Sequence, residues 1–299
     1  MGSPEFAVPS LEALHRTPHE IIRVVSLPDK RRSRRGKPIP TDVKKKALEL
    51  GLPVMEAEDL RSEAFSGEIE ALKPDLIVVV AFRILPAPVL DIPAFGAINL
   101  HASLLPKYRG AAPIHHAVMN GENETGCTVF FLNERVDTGE IIAAVKTDIG
   151  KDETTGDLYN RLKDAGAGLL ASCVNEIAMG RAESHSQKDE EATPAPKLIK
   201  ENTRIDFSQS AEEVHNRVRG LNPFPVAWAL RGEEQVKIYR TRPVSLCNLL
   251  PGVLKREGDK LLAGCGAGCV ELLELQLPGT KVMSGTEFAN GYDVNVPLE

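Results

Sequence analysis

The sequence predicts an α/β fold: a domain built on a mostly parallel sheet, followed by a smaller β-rich, barrel-like domain. Three observations carry this. Through the first half, short apolar runs alternate with segments of helical period, the pattern of strands joined by crossover helices. The run "DLIVVVA" (75–81) is apolar at nearly every position, as expected of a strand covered on both faces. Beyond residue 203 short strand-like runs follow one another, punctuated by Gly and Pro.

Taken in order, "VPSLEALHR" (8–16) reads as a helix and "EIIRVVS" (20–26) as a strand. "TDVKKKALELG" (41–51) is a helix with Thr41 as N-cap and Gly51 just past its end. A side-chain oxygen satisfies free amides at the start, and glycine tolerates the left-handed turn at the stop. "LPV" (52–54) is a short strand, "SGEIEALKP" (66–74) is helical, "GAINLH" (96–101) is a strand and "APIHHAVMNG" (112–121) a helix. One of His115 and His116 should face solvent. "TGCTVFFLN" (125–133) and "GEIIAAVKTDI" (139–149) are so close in sequence that they predict an added hairpin. A long helix follows, opened by a Thr154–Asp157 capping box, with Leu158, Leu162, Ala165, Leu169 and Cys173 on one apolar face. This first domain is expected to span residues 1–182. Residues 183–203, "ESHSQKDEEATPAPKLIKENT", are polar and without period, and read as a linker crossing the surface. Residues 204–299 make the second domain: a helix at "SAEEVHNRVRG", then strands in "VAWALRG", "EQVKIYRTR", "PGVLKRE" and "CVELLELQLPG".

At 299 residues the chain has room for two ordinary domains, each burying its own core. A net charge of −6 gives no overall attraction to nucleic acid or to an anionic membrane. No apolar run approaches the roughly 18 residues a membrane-spanning helix needs. The start lacks the basic and apolar regions of a secretory signal. Five cysteines, an odd number, suit a reducing compartment better than a disulfide framework.

The chemistry-bearing residues cluster in "INLHASLLPKYRG" (98–110). In a twisted parallel sheet, functional groups gather beyond the carboxyl ends of the strands. Asn99 and His101 are two apart, so they share one face of a strand that should end there. A neutral imidazole can take a proton from an attacking amine, and a carboxamide can donate to a developing oxyanion. On spacing alone a capped strand end is the better account of the pattern. "RVDTGE" (135–140) places Asp137 in a turn between strands, where it either orients a histidine across the cleft or closes an ordinary Asx turn. In "DKRRSRRGK" (29–37), six of the eight residues from Lys30 to Lys37 are basic: a solvated loop, or a holder of phosphates. "GCGAGC" (264–269) precedes a strand-like run rather than a helix, and its two cysteines lack a second pair, so neither a dinucleotide fingerprint nor a zinc site is met. No metal site is expected.

Together "GSPEFAVPSL", "INLHASLLPKYRGAAPI", "ETGCTVFFLNERVDTGEI", "ATPAPKLIKENTRIDF" and "LNPFPVAW" resemble, in order and over essentially the whole chain, the folate-dependent formyltransferases. "GAAPI", "APKLIKE" and "LNPFP" are closest to the branch acting on initiator tRNA. The resemblance implies a Rossmann-like catalytic domain and an OB-like C-terminal domain that binds the tRNA body. It implies that the formyl group of 10-formyltetrahydrofolate moves to the amino group of methionyl initiator tRNA for translation initiation, without a metal. Asn99 would bond the formyl oxygen, His101 would manage the amine proton and Asp137 would support His101. Ser103, Leu104, Leu105 and Pro106 match the folate-binding loop, and Arg83, Ile84 and Leu85 a segment gripping the pterin. Arg35, with Arg32, Arg34 and Lys37, matches a loop inserted at the acceptor stem. A monomer in a bacterial-type cytoplasm, or in an organelle, is expected. Other readings are a formyltransferase for a sugar nucleotide or another small amine, and a catalytically silent RNA-binding relative. One departure stands out: members usually open with a short apolar strand, whereas Met1 here directly precedes Gly2. A gap in the core is expected at that place.

Overall fold

The computed structural model describes residues 1–31 and 38–299, the side chain of Arg31 excepted. Two compact units result. The first comprises Met1–Pro113, Gly126–Thr147 and Tyr159–Ala195; the second comprises Ile114–Thr125, Asp148–Leu158 and Pro196–Glu299. Contacts therefore do not divide the chain at residue 182. Two short segments from the first half pack with the later chain, and residues 183–195 stay with the first unit.

In the first unit Val24–Ser26 pairs in parallel with Val54–Glu56. A separate sheet runs in the order Ile77–Val80, Ala97–His101, Glu124–Phe131, Ile141–Asp148. Its first pair is parallel and the next antiparallel, as expected where a hairpin is added to a parallel frame. Caps set the helix starts: the Thr41 hydroxyl accepts from the Lys44 amide ahead of Asp42–Glu49, and the Ser62 hydroxyl from the Phe65 amide ahead of Glu63–Leu72. Phe65 and Ile69, one turn apart, pack with Val25, Ile77 and Val79 in the core.

The parallel strands form two ladders rather than one sheet. Between Val24–Ser26 and Ile77–Val80 lies a cavity of about 360 Å³, bordered by Met1, Gly2, Val24, Val78, Val80 and Ile177 among others. Met1 and Gly2 enter one end: the Gly2 amide donates to the Val25 carbonyl (3.0 Å) and the Val80 amide to the Met1 carbonyl (2.9 Å). The Met1 amino group is buried against the Val78 carbonyl at 2.6 Å, and desolvation pushes its pKa down to about 5.

The long helix Thr155–Ala178 opens with the expected box, the Thr154 hydroxyl accepting from the Asp157 amide (3.2 Å). Its buried face departs from expectation. Leu162, Gly166, Leu170, Cys173 and Ile177 face inward, while Ala165 is exposed and Leu169 half-buried. Gly166 accompanies the rotation: a Cβ there would stand 2.9 Å from Leu100 Cδ2 and 3.1 Å from Cys127 Sγ, so a larger residue would press on these side chains of the sheet.

In the second unit a six-stranded antiparallel sheet runs in the order Ala227–Arg231, Glu234–Val244, Cys269–Gln276, Lys260–Gly264, Leu254–Glu257, with Met283–Ser284 pairing Cys269–Gln276. Its outer strands are bridged by the last residues. Leu230 and Glu299 exchange amide–carbonyl bonds (2.8 and 2.7 Å), and the Leu298 amide donates to the Gly252 carbonyl (2.9 Å), giving a barrel-like closure. Helix Ala211–Gly220 carries a full Ser210–Glu213 capping box and lays Val214 and Val218 into this core. His115 and His116 are both half-buried, with Nε2 on the Phe224 carbonyl (3.1 Å) and the Pro196 carbonyl (3.0 Å). The expectation of reduced cysteines is corrected, since Cys247 and Cys269 form a disulfide with Cα atoms 5.6 Å apart. Antiparallel register sets Val244 opposite Cys269 and so brings Cys247 near, which a separation of 22 residues conceals. Among the described residues no helix is long and apolar enough to cross a membrane.

Candidate active site

Strands Ile77–Val80 and Ala97–His101 run parallel with Val80 opposite Leu100, so the loops after them, 81–86 and 102–110, leave from one edge of the sheet. This edge collects the candidate residues. Asn99 is half-buried, and its carboxamide makes no hydrogen bond to any described residue. His101 is buried, with Nε2 2.8 Å from the Tyr108 carbonyl oxygen. A carbonyl only accepts, so Nε2 carries the hydrogen and Nδ1 is the free lone pair of the neutral ring, a tautomer inferred from this contact. Nδ1 stands 3.7 Å from Asp137 Oδ2. That is beyond a hydrogen bond and within ion-pair range, so the attraction is realised when Nδ1 takes up a proton.

Asp137 owes its place to an irregular turn. Its φ is +54°, a left-handed conformation uncommon outside glycine. The Thr138 hydroxyl donates to Asn133 Oδ1 (3.0 Å) and to the Arg135 carbonyl (3.1 Å), closing the turn before it. Gly139 follows where a Cβ would lie 1.6 Å from the Phe131 carbonyl oxygen. Asp137 Oδ2 accepts from the Gly110 amide at 2.8 Å, tying the turn to the far end of the 102–110 loop.

That loop is braced from beneath. Thr128 Oγ1 donates to the Ser103 carbonyl (2.7 Å) and accepts from the Leu105 amide (3.1 Å), while Ser103 Oγ donates to the Lys107 carbonyl (2.6 Å). The side chains of Ser103 and Leu105 are consequently buried, and those of Leu104 and Pro106 only partly so. In the neighbouring loop Leu85 is buried in the core and Ile84 is 71% exposed. Arg83 donates to the Glu58 carbonyl (3.0 Å). Arg32, Arg34, Arg35 and Lys37 lie outside the described residues, between the paired segments Lys30–Arg31 and Pro38–Ile39.

Sequence reading missed the contribution of 184–195, taken for a linker. Pro194–Ala195 pairs in parallel with Arg109–Gly110, and the Tyr108 amide donates to Thr193 Oγ1 (2.9 Å). Gly110, with φ +127°, permits this approach, since a Cβ would meet the Ala195 carbonyl oxygen at 2.5 Å. Gln187 reaches the Asp137 turn itself. The segment shows no period, so no local pattern could have marked these contacts. Among the described residues no group of three or more His, Cys, Asp or Glu side chains is placed to hold a metal ion.

Residues 1–174 match the formyl transferase family and residues 197–293 the formyl transferase C-terminal domain family. The methionyl-tRNA formyltransferase of Chlorobium luteolum is 47% identical over 301 residues, covering 98% of this chain and 95% of the relative. That of Moorella thermoacetica is 44% identical over 307 residues, covering 100% and 97%. Among solved structures, a Helicobacter canadensis N-formyltransferase in complex with folinic acid and dTDP-3-aminofucose superposes with a TM-score of 0.70 at 20% identity, covering 91% of this chain and 96% of that one. That likeness establishes the fold. With both domain families matched in order and full-length relatives this similar, the chain belongs to the formyl transferase family.

Proposed function

We propose that this chain transfers the formyl group of 10-formyltetrahydrofolate to the α-amino group of methionine esterified to initiator tRNA. The observation that carries the reading is the ring of His101, with Nε2 held by the Tyr108 carbonyl and Nδ1 turned toward the Asp137 carboxylate, on the strand that bears Asn99. Full-length relatives bearing the name methionyl-tRNA formyltransferase support the choice of acceptor.

In this reading the amine nitrogen attacks the formyl carbon, and the Asn99 carboxamide donates to the oxygen as it becomes an oxyanion. The His101 Nδ1 accepts the proton the amine loses, and Asp137 at 3.7 Å steadies the imidazolium. The C–N bond to the folate then breaks, its nitrogen taking the same proton back from His101, so the ring returns to its starting state. The exposed Ile84 and the partly exposed Leu104 and Pro106, on loops leaving one sheet edge, suit an apolar ring system. Arg35, with Arg32, Arg34 and Lys37, supplies a local positive charge for phosphates on a chain whose net charge is −6. This substrate fits a bacterial-type cytoplasm or an organelle with its own translation.

The test is formylation of methionyl initiator tRNA by the chain with 10-formyltetrahydrofolate, run beside an amino-sugar nucleotide as acceptor. Transfer to the tRNA is expected. Transfer to the sugar nucleotide alone would replace the acceptor, and transfer to neither would overturn the reading. Replacing Arg35 and Arg34 by Ala should raise the KM for tRNA, leave the KM for the folate unchanged and lower the salt slope of binding by about one per charge removed.

A further inference from the structure

We infer that Gln187 is a positioning residue for the transfer reaction, holding the Asp137 turn so that the carboxylate faces His101. The inference rests on the reading of His101 and Asp137 given above. Gln187 Nε2 donates to the Asp137 carbonyl (3.0 Å) and to the Gly139 carbonyl (2.8 Å), one hydrogen to each side of Thr138. Its Oε1 accepts two bonds from Arg109, from Nε at 3.1 Å and from Nη2 at 2.7 Å. The guanidinium can only donate and the two carbonyls can only accept, so the carboxamide fits in one orientation alone. Arg109 is itself fixed by Asp189, whose Oδ1 accepts from Nη1 at 2.8 Å, and these bonds hold the Asp189 carboxyl below the usual carboxylate range. Arg109 is only 14% exposed and Gln187 is half-buried, while Asp189 closes the network at its solvent side with its side chain 60% exposed.

The energetic reason for such a clamp is local. A non-glycine residue in the left-handed region is strained and persists only where its surroundings over-determine it. Asp137 is such a residue, and Gln187 binds the carbonyls on both flanks of the turn's tip. The carboxylate end is fixed by the Gly110 amide, next in sequence to Arg109. Backbone and side chain of Asp137 are thus anchored to the same stretch of the 102–110 loop. Without the lower anchor Asp137 can relax toward an ordinary turn, and its carboxylate then leaves the Nδ1 side of His101.

Two variants test this in the full chain. Gln187→Met keeps the length and apolar stem and loses every bond. Gln187→Glu keeps the acceptor for Arg109 and loses the donors to the turn. Both are expected to lower kcat for formylation about tenfold. The KM values for folate and tRNA should stay within about twofold, and Tm within a few degrees. A merely structural role would lower Tm and leave the kcat of the folded fraction intact. The coupling is read in a cycle: in an Asp137→Asn background, Gln187→Met is expected to cost no further activity. Full kcat in either single variant, or an equal loss with and without Asp137, overturns the inference while leaving the proposed function standing. Absence of transfer by the unaltered chain overturns both.

Discussion

At the scale of residues, the properties of His101 come from two oxygens on opposite sides of its ring. The Tyr108 carbonyl consumes the Nε2 hydrogen, and Asp137 waits 3.7 Å from Nδ1. Removing the charge while keeping the shape isolates the electrostatic part. Asp137→Asn can still accept from the Gly110 amide through its amide oxygen, so the turn should survive. Its kcat is expected to fall about 100-fold, with little change in either KM, in steady-state formylation assays. A fall in tRNA affinity with kcat unchanged would mean that Asp137 serves binding instead. Sequence spacing placed Asn99 and His101 on one face and named Asp137 as a possible partner. It could not decide between partner and Asx turn, because that depends on a contact across 36 positions.

At the scale of elements, the 102–110 loop behaves as a shaped wall because one side chain on the neighbouring strand supports it. Thr128 is fully buried and bonds both the Ser103 carbonyl and the Leu105 amide. Thr128→Val keeps the shape and strands both groups. Each unmet buried group costs about 1–3 kcal/mol, so a loss of about 2–6 kcal/mol is expected in urea unfolding. The KM for the folate should rise with it, since the loop loses its support. The same scale shows where pattern reading ran out. Capping chemistry at Thr41 and Thr154 was legible because it involves residues three apart. The face of the long helix was misread at Ala165 and Leu169; the inward face runs through Gly166 instead. Strand Lys260–Gly264 and helix Gly285–Gly291 were not anticipated. Both are short, and only packing against the barrel core distinguishes them from turns.

At the scale of the whole molecule, three buried histidines make the second unit sensitive to acid. His115, His116 and His215 all lie there, and burial is the leading cause that holds each below the ordinary histidine pKa. The carbonyls of Phe224, Pro196 and Lys151 oppose the shifts, as do Asp152 and Glu212 near His215; Arg217 beside His116 and Arg219 beside His215 reinforce them. Unfolding lets each ring protonate near about pH 6.5, whereas the folded rings protonate only at lower pH. Between those values the unfolded chain binds more protons, so the stability these three rings contribute is fully present above about pH 6.5 and declines below it. Calorimetry from about pH 7.5 down to about pH 5.5 should show a falling Tm, with a shallower slope in His215→Asn. An unchanged slope in that variant would remove His215 from the account.

By itself the sequence determined the order of the main elements in the first domain, the caps at Thr41 and Thr154, the Asn99–His101 pair and, through its resemblance, the family. These depend on period, on neighbours within a few positions and on recognisable words of sequence. Only the tertiary structure decided that the parallel strands form two ladders around a cavity, that Cys247 meets Cys269, and that 183–195 belongs to the first unit. The same holds for Gln187, which meets Asp137 from 50 positions away. The physical reason is common to all of these. A hydrogen bond or a packed face between distant segments is chosen by the geometry of everything between them, which no local pattern of polarity or turn residues encodes.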